Sequence, residues 1–341
     1  MVNNQKSIKD KINPKKNSLS KEAILFTTLI IITCIAGFVI SLKSRKYVLS
    51  LKQQNPNYYY PTLLEITIKT TILTFILLIP KVLIEKALFK FTEKFLVDKY
   101  EKKEFKSQKE KAKRKMAIYF LKFIHYLLLT IHSYFVFNKL EFFPKELFGD
   151  GEMNKLYSRG LKSFTFFERP KYFDFHYLLN LAYTFTDFIC VAFIYDGQTD
   201  ILVMIFHHLC TISLLLFSYY NHYDGIGAII LFLHNASDII VYLARTMLYV
   251  VAPNTIKQGI SILLLTTFIY SRLFVYGKLI IGFFKGATWE SLGIIKAFRF
   301  LLVCLYILHC TWSYKLIIIA FNSIKGKFND SREFYKDKKN K

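Results

Sequence analysis

Apolar runs of about twenty residues, bounded by lysine-rich segments, constrain this chain more than any other feature. A helix of that length, rising ~1.5 Å per residue, matches the ~30 Å hydrocarbon core of a bilayer. In lipid a lone span must satisfy its own backbone hydrogen bonds, which selects helix over strand. Eight runs fit: Ala23–Leu42, Ile66–Leu88, Ala117–Phe137, His176–Tyr195, Ile201–Tyr220, Ile226–Val251, Gly259–Phe284 and Ala297–Ile319. The second is interrupted by Lys69, Pro80, Lys81, Glu85 and Lys86. The expected fold class is therefore an all-α polytopic membrane protein with about eight transmembrane helices.

Composition matters here mainly through where the charge sits. The chain is 53% apolar yet carries 47 Lys+Arg against 24 Asp+Glu, a net +23. Nucleic acid is the usual partner of so basic a protein, but these lysines flank apolar spans, so membrane lipids and no nucleic acid are expected. The segment Lys90–Lys115 holds eleven Lys/Arg and five Asp/Glu and is assigned to the cytosol. Counting spans from it puts both termini and the DGQTD turn, Asp196–Asp200, on the cytosolic side. A basic cytosolic segment, 1–22, precedes a first span too long for a signal-peptide core. Residues 325–341 form a basic cytosolic tail ending Lys338-Lys339-Asn340-Lys341, which resembles a dilysine retrieval signal of endoplasmic-reticulum membrane proteins. Five cysteines (Cys34, Cys190, Cys210, Cys304, Cys310) all fall in apolar runs without disulfide or zinc spacing and are read as small buried residues.

Ionisable groups concentrate between His207 and Tyr249. An intramembrane charge costs at least ~2.5–3.5 kcal/mol on insertion scales and survives mainly where it faces a protein interior or cavity. His207 and His208 are adjacent, so they point about 100° apart. In the next span His234, Asp238, Tyr242, Arg245 and Tyr249 recur at spacings of four, four, three and four, lining one helical stripe with Asn235 beside it. A histidine partnered by a carboxylate moves protons off a nucleophile, and a neutral imidazole can itself accept an acyl group. Arg245 can alternatively neutralise Asp238 within the helix, and Tyr242 and Tyr249 read as packing residues. His125, His132, His176 and His309 are each read as structural. Eight histidines invite a di-iron reading, but none pair at i, i+3 or i+4, so no metal is expected.

These residues resemble the Lag-type ceramide synthases of the TLC-domain superfamily, whose stretch runs roughly HHxxTxxLxxxSYxxNxxRxGxxVxxxHDxSDxxxExxKxxxY. His207-His208, Thr211, Leu214, Ser218-Tyr219, Gly227, His234, Ser237-Asp238 and Tyr249 match it, with Asn221 one position away. Asp200 matches an acid seven residues before the first histidine, and Leu308-His309 with Trp312 match a closing LHxxW. Asn235, Gly225 and Tyr242 depart from it, replacing Asp, Arg and Glu. The resemblance covers about Lys109–Ile324, giving a TLC domain at 109–324 behind two N-terminal transmembrane helices and a basic loop at 23–108. It implies that the last six helices form a barrel around a tunnel in the endoplasmic-reticulum membrane. Fatty acyl-CoA is implied as co-substrate, with no other cofactor, and a sphingoid base as acyl acceptor; a homodimer is left open. His207, His208, His234, Asn235 and Asp238 would be catalytic, and Ser218, Tyr219, Arg245 and Asp200 would bind substrate. The segment Lys285–Lys296 would influence acyl-chain length. Two alternatives stand: a non-catalytic TLC protein resembling translocating-chain-associated membrane proteins, and acylation of a different amine.

Overall fold

The computed structural model describes residues 60–96, 106–156, 169–195, 201–286 and 293–327, with single helical positions between 28 and 49. The expectations on 1–22, on most of Ala23–Leu42, on Asp196–Asp200, on the centre of Lys285–Lys296 and on the tail after 327 lie outside the described residues.

Helices dominate, and among the described residues two isolated bridges, Leu96 with Val250 and Pro144 with Gly151, are the extent of β pairing. The helices are α1 (Leu63–Phe91), α2 (Lys106–Phe137), α3 (Phe173–Ile189), α4 (Ile201–Tyr220), α5 (Asp224–Met247), α6 (Asn254–Phe268), α7 (Tyr276–Gly286) and α8 (Gly293–Ile324). A π turn at Cys190–Ile194 extends α3, and another at Ile269–Val275 joins α6 to α7 as one span. Among the described residues six helices are long and apolar enough to cross a membrane: Gln108–Phe137, Phe173–Ile194, Ile201–Tyr220, Asp224–Met247, Asn254–Lys285 and Ile295–Ile324. They coincide with the third to eighth expected spans. The third reaches further back than expected, because the lysine-rich residues after 106 continue the helix instead of forming a loop.

The residues that interrupt the second expected run leave α1 continuous through Pro80 for 29 residues, and Lys69, Lys81 and Glu85 among them each find a partner. Thr62 caps the start, its side chain accepting from the Glu65 amide at 3.1 Å. Glu65 in turn accepts from Lys69, one turn on, at 2.6 Å. Lys81 turns inward onto Asp187 of α3, and Glu85 accepts from the Tyr195 hydroxyl at 2.5 Å. The opposite face exposes Ile68, Ile72, Ile76 and Ile79, a surface suited to lipid.

Packing is closest where small residues allow it. α2 lies along α5 and α1 along α3. At Gly227 an added Cβ would sit 1.9 Å from the Tyr177 hydroxyl, so glycine is what lets α5 approach the Tyr177–Ser218 hydrogen bond between α3 and α4. Cys190, Cys210 and Cys304 are buried as expected, whereas Cys310 is exposed on the outer side of α8, where its surroundings would be apolar without being protein.

Candidate functional site

The paired histidines sit two turns into α4, and the angle between adjacent helical positions sends them to different neighbours. The His207 ring stacks on His234 of α5, centroids 6.4 Å apart and 19° from parallel, and meets Trp312 of α8 edge-on at 5.1 Å. The Nε2 of His208 lies instead 3.6 Å from the carboxylate of Asp187 on α3. The two rings remain neighbours, 5.6 Å apart.

His234 is held in one tautomer by its own helix. Its Nδ1 is 2.8 Å from the Ile230 carbonyl, which only accepts, so Nδ1 carries the proton and Nε2 the lone pair. That Nε2 is buried with no hydrogen-bond partner. His234 also lines a cavity bounded by Leu214, Ser218, Ile230, Phe298 and Leu302, among other residues. The walls are almost wholly apolar. Ten residues beyond Asp224, His234 is ~15 Å into α5, near the middle of a span. A residue with an unengaged basic nitrogen thus lines an apolar space within a span.

The spacing of His234, Ser237 and Asp238 is explained by a residue the sequence analysis did not single out. Arg272, on the π turn between α6 and α7, donates to the Ser237 hydroxyl at 2.7 Å, to the His234 carbonyl at 3.1 Å and to Asp238 at 2.7 Å. Its third nitrogen lies 3.2 Å from Nε2 of His309. A planar guanidinium suits such a fan of acceptors. Asp238 was expected to orient a histidine or to be neutralised by Arg245; its ion-pair partner is Arg272, because the π turn aims that side chain inward. Arg245 lies over the rings of Tyr119 and Tyr242. His309, read from sequence as structural, is fully buried at the centre of this cluster, 5.1 Å from the rings of His234 and Tyr276.

Asn235 faces the other way. Its side-chain amide donates to Oδ1 of Asn180 at 2.8 Å, and Asn180 donates to Nε2 and the carbonyl of His176. Nε2 of His176 also meets the Ser133 hydroxyl, and its Nδ1 meets His132, so a neutral polar chain runs from α5 through α3 to α2. Of the expected substrate-binding residues, Ser218 lines the cavity. Tyr219, one position on, is turned away: it stacks on Tyr177 and donates to Asp174, part of an ion cluster in which Arg169 bridges the half-exposed Asp174 and the buried Asp224. Asp200 lies outside the described residues.

Asp187 was likewise missed. Lys81 of α1 and Lys122 of α2 hold it at 2.9 and 2.7 Å, and all three side chains are buried. The signal available for Asp187, Lys122 and Arg272 was the one that flagged Asp238, an ionisable residue within an apolar run. Among the described residues no group of three or more His, Cys, Asp or Glu is arranged to hold a metal ion.

A family model described as the TLC domain matches residues 115–318, which takes in His207, His208, His234 and the Arg272 cluster. The chain belongs to the TLC-domain family. Within the family it is similar to ceramide synthase 5 of Homo sapiens, 30% identical over 156 residues, which is 45% of this chain and 39% of that protein. It is also similar to ceramide synthase 4 of Bos taurus, 27% over 155 residues, or 44% and 38% of the two chains. Ceramide synthase LOH2 of Arabidopsis thaliana is 28% identical over 141 residues, 38% of this chain and 46% of that one. The match therefore spans less than half the length of each relative. Lys81, and with it one of the two cations on Asp187, lies outside the matched TLC segment.

Proposed function

We propose that this TLC protein is an acyl-CoA-dependent N-acyltransferase that forms ceramide by joining a fatty acyl group to the amine of a sphingoid base. The observation that carries the reading is the free Nε2 of His234, a residue that stacks with His207 and lines an apolar cavity. The acyl chain lies against these apolar walls, which part to admit it, with its thioester at the histidines. The amine nitrogen bonds to the thioester carbon as the carbon–sulfur bond breaks; a neutral imidazole takes the amine proton and returns it to the departing thiolate. The similarity to ceramide synthases supports the choice of acyl donor and acceptor. In this reading eight helices span the endoplasmic-reticulum membrane with both termini cytosolic, and the last six enclose the tunnel. The basic segment Lys90–Lys115 attracts anionic coenzyme A.

The test is acyl-CoA-dependent ceramide formation by microsomes from cells lacking endogenous ceramide synthase. Activity that falls at least ~100-fold in the His207→Ala, His208→Ala double variant supports the reading. An inactive wild-type protein, or an active double variant, removes it. One observation favours a non-catalytic TLC protein: Asn235, where the motif has an acid, is tied into an uncharged chain. Crosslinking to nascent secretory chains without any lipid product would support that alternative.

A further inference from the structure

Asp187 belongs to no motif, yet three helices converge on it. Lys81 comes from α1 at 2.9 Å, Lys122 from α2 at 2.7 Å and His208 from α4 at 3.6 Å. Their side chains are 6%, 5% and 7% exposed, and that of Asp187 is 3% exposed. Burying a lone carboxylate is costly, and two ammonium groups here balance its charge. Glu85, one turn beyond Lys81, adds a second carboxylate, so the group of four is neutral overall. His208 meanwhile is buried with neither ring nitrogen hydrogen-bonded. The anion facing its Nε2 is Asp187, a few tenths of an ångström beyond hydrogen-bond distance. Gaps of this size close when a catalytic histidine engages substrate.

We propose that Asp187, clamped between Lys81 and Lys122, is the positioning residue for His208: its carboxylate selects the tautomer with the proton on Nε2 and leaves the Nδ1 lone pair to act as base. The catalytic meaning of the pair rests on the acyltransferase reading, whereas the tautomer does not. The division of labour then follows from the helix. His234 lines the cavity with His207 stacked beside it, and His208 handles the proton under a carboxylate from α3. One cation holding that carboxylate comes from α1, outside the matched TLC segment, so the N-terminal helix completes the site.

A purely structural Lys–Asp–Lys clamp is the rival account, and a charge-balanced double variant separates the two. Asp187→Asn alone leaves one buried ammonium group without a counter-charge and is expected to unfold readily. Asp187→Asn with Lys122→Met keeps the cluster neutral, through Lys81 and Glu85, and is expected to recover wild-type thermal stability in detergent. Its kcat should nevertheless stay roughly tenfold or more below wild type, with KM for both substrates within about twofold. Asp187→Glu should regain part of kcat. Independently of activity, nitrogen-15 histidine NMR in bilayers, with His208 assigned by difference against His208→Gln, should show a single Nε2-protonated tautomer in the wild type and loss of that preference in the double variant. A wild-type signal from the Nδ1-protonated form, an unchanged tautomer in the double variant, or a double variant with wild-type kcat would each overturn the proposal. If the wild type makes no ceramide, the acyltransferase reading fails while the NMR arm still decides the role of Asp187.

Discussion

Asn235 shows how far one side chain depends on its neighbour. Its NH2 group donates to Asn180, whose own NH2 is committed to His176, so the pair fits only with a donor at position 235. An Asp there would set two acceptors against each other at about the 2.8 Å now spanned by a hydrogen bond. Asn235→Asp, although it restores the acid of the motif, is therefore expected to destabilise the protein by about 1–3 kcal/mol, the cost of a buried unmet acceptor. Turnover should not rise. Thermal unfolding in detergent, read beside ceramide formation, checks both; a large gain in turnover would mean that Asn180 turns over to accommodate the carboxylate. The motif made position 235 visible in the sequence. Asn180 was not visible, because an Asn in an apolar run carries no charge to mark it and its partner is 55 residues away.

Among elements, the π turn at Ile269–Val275 has the largest effect on the site. An extra residue in a helical turn rotates everything beyond it and is common where function needs a side chain re-aimed. Here it delivers Arg272 to the backbone of His234 and to the side chains of Ser237, Asp238 and His309 at once. Arg272→Met should cost on the order of 3–5 kcal/mol by leaving Asp238 with its charge stranded. Adding Asp238→Asn should recover much of that loss, and Arg272→Lys alone should recover little, since an ammonium cannot fan out to four acceptors. Midpoints of thermal unfolding for the three variants decide the matter; equal midpoints for the Met and wild-type proteins would show that the pair adds nothing. Among the described residues the extent of the apolar helices followed closely from apolar length, except for α2, whose lysine-rich start lengthens it. The π turn did not, because it is a matter of one residue in register, and hydropathy is blind to register. α1 makes the same point in reverse: Lys81 and Glu85 look like flaws in a span until α3 supplies Asp187 and Tyr195.

Across the whole molecule, the cavity follows from four helices failing to fill the space between them. Leu302 of α8, 1% exposed to solvent, forms part of its wall beside Ile230 and Leu214. Leu302→Trp adds bulk there without touching a histidine. On the acyltransferase reading it should shift the ceramides formed towards shorter acyl chains, measured by lipid mass spectrometry with competing acyl-CoAs; an unchanged distribution would mean that the chain lies elsewhere. The sequence by itself determined that the chain is a bundle of membrane-spanning helices, since twenty apolar residues in a row have no other way to satisfy their backbone in lipid. It also determined that polar chemistry gathers around His207, His208 and His234, because ionisable residues in such runs are too costly to be incidental. Which acid faces which histidine was decided only in three dimensions. Asp187 and Asp238 are equivalent as letters, and the 100° step between His207 and His208, together with the π turn that commits Arg272 to Asp238, is what leaves Asp187 facing His208.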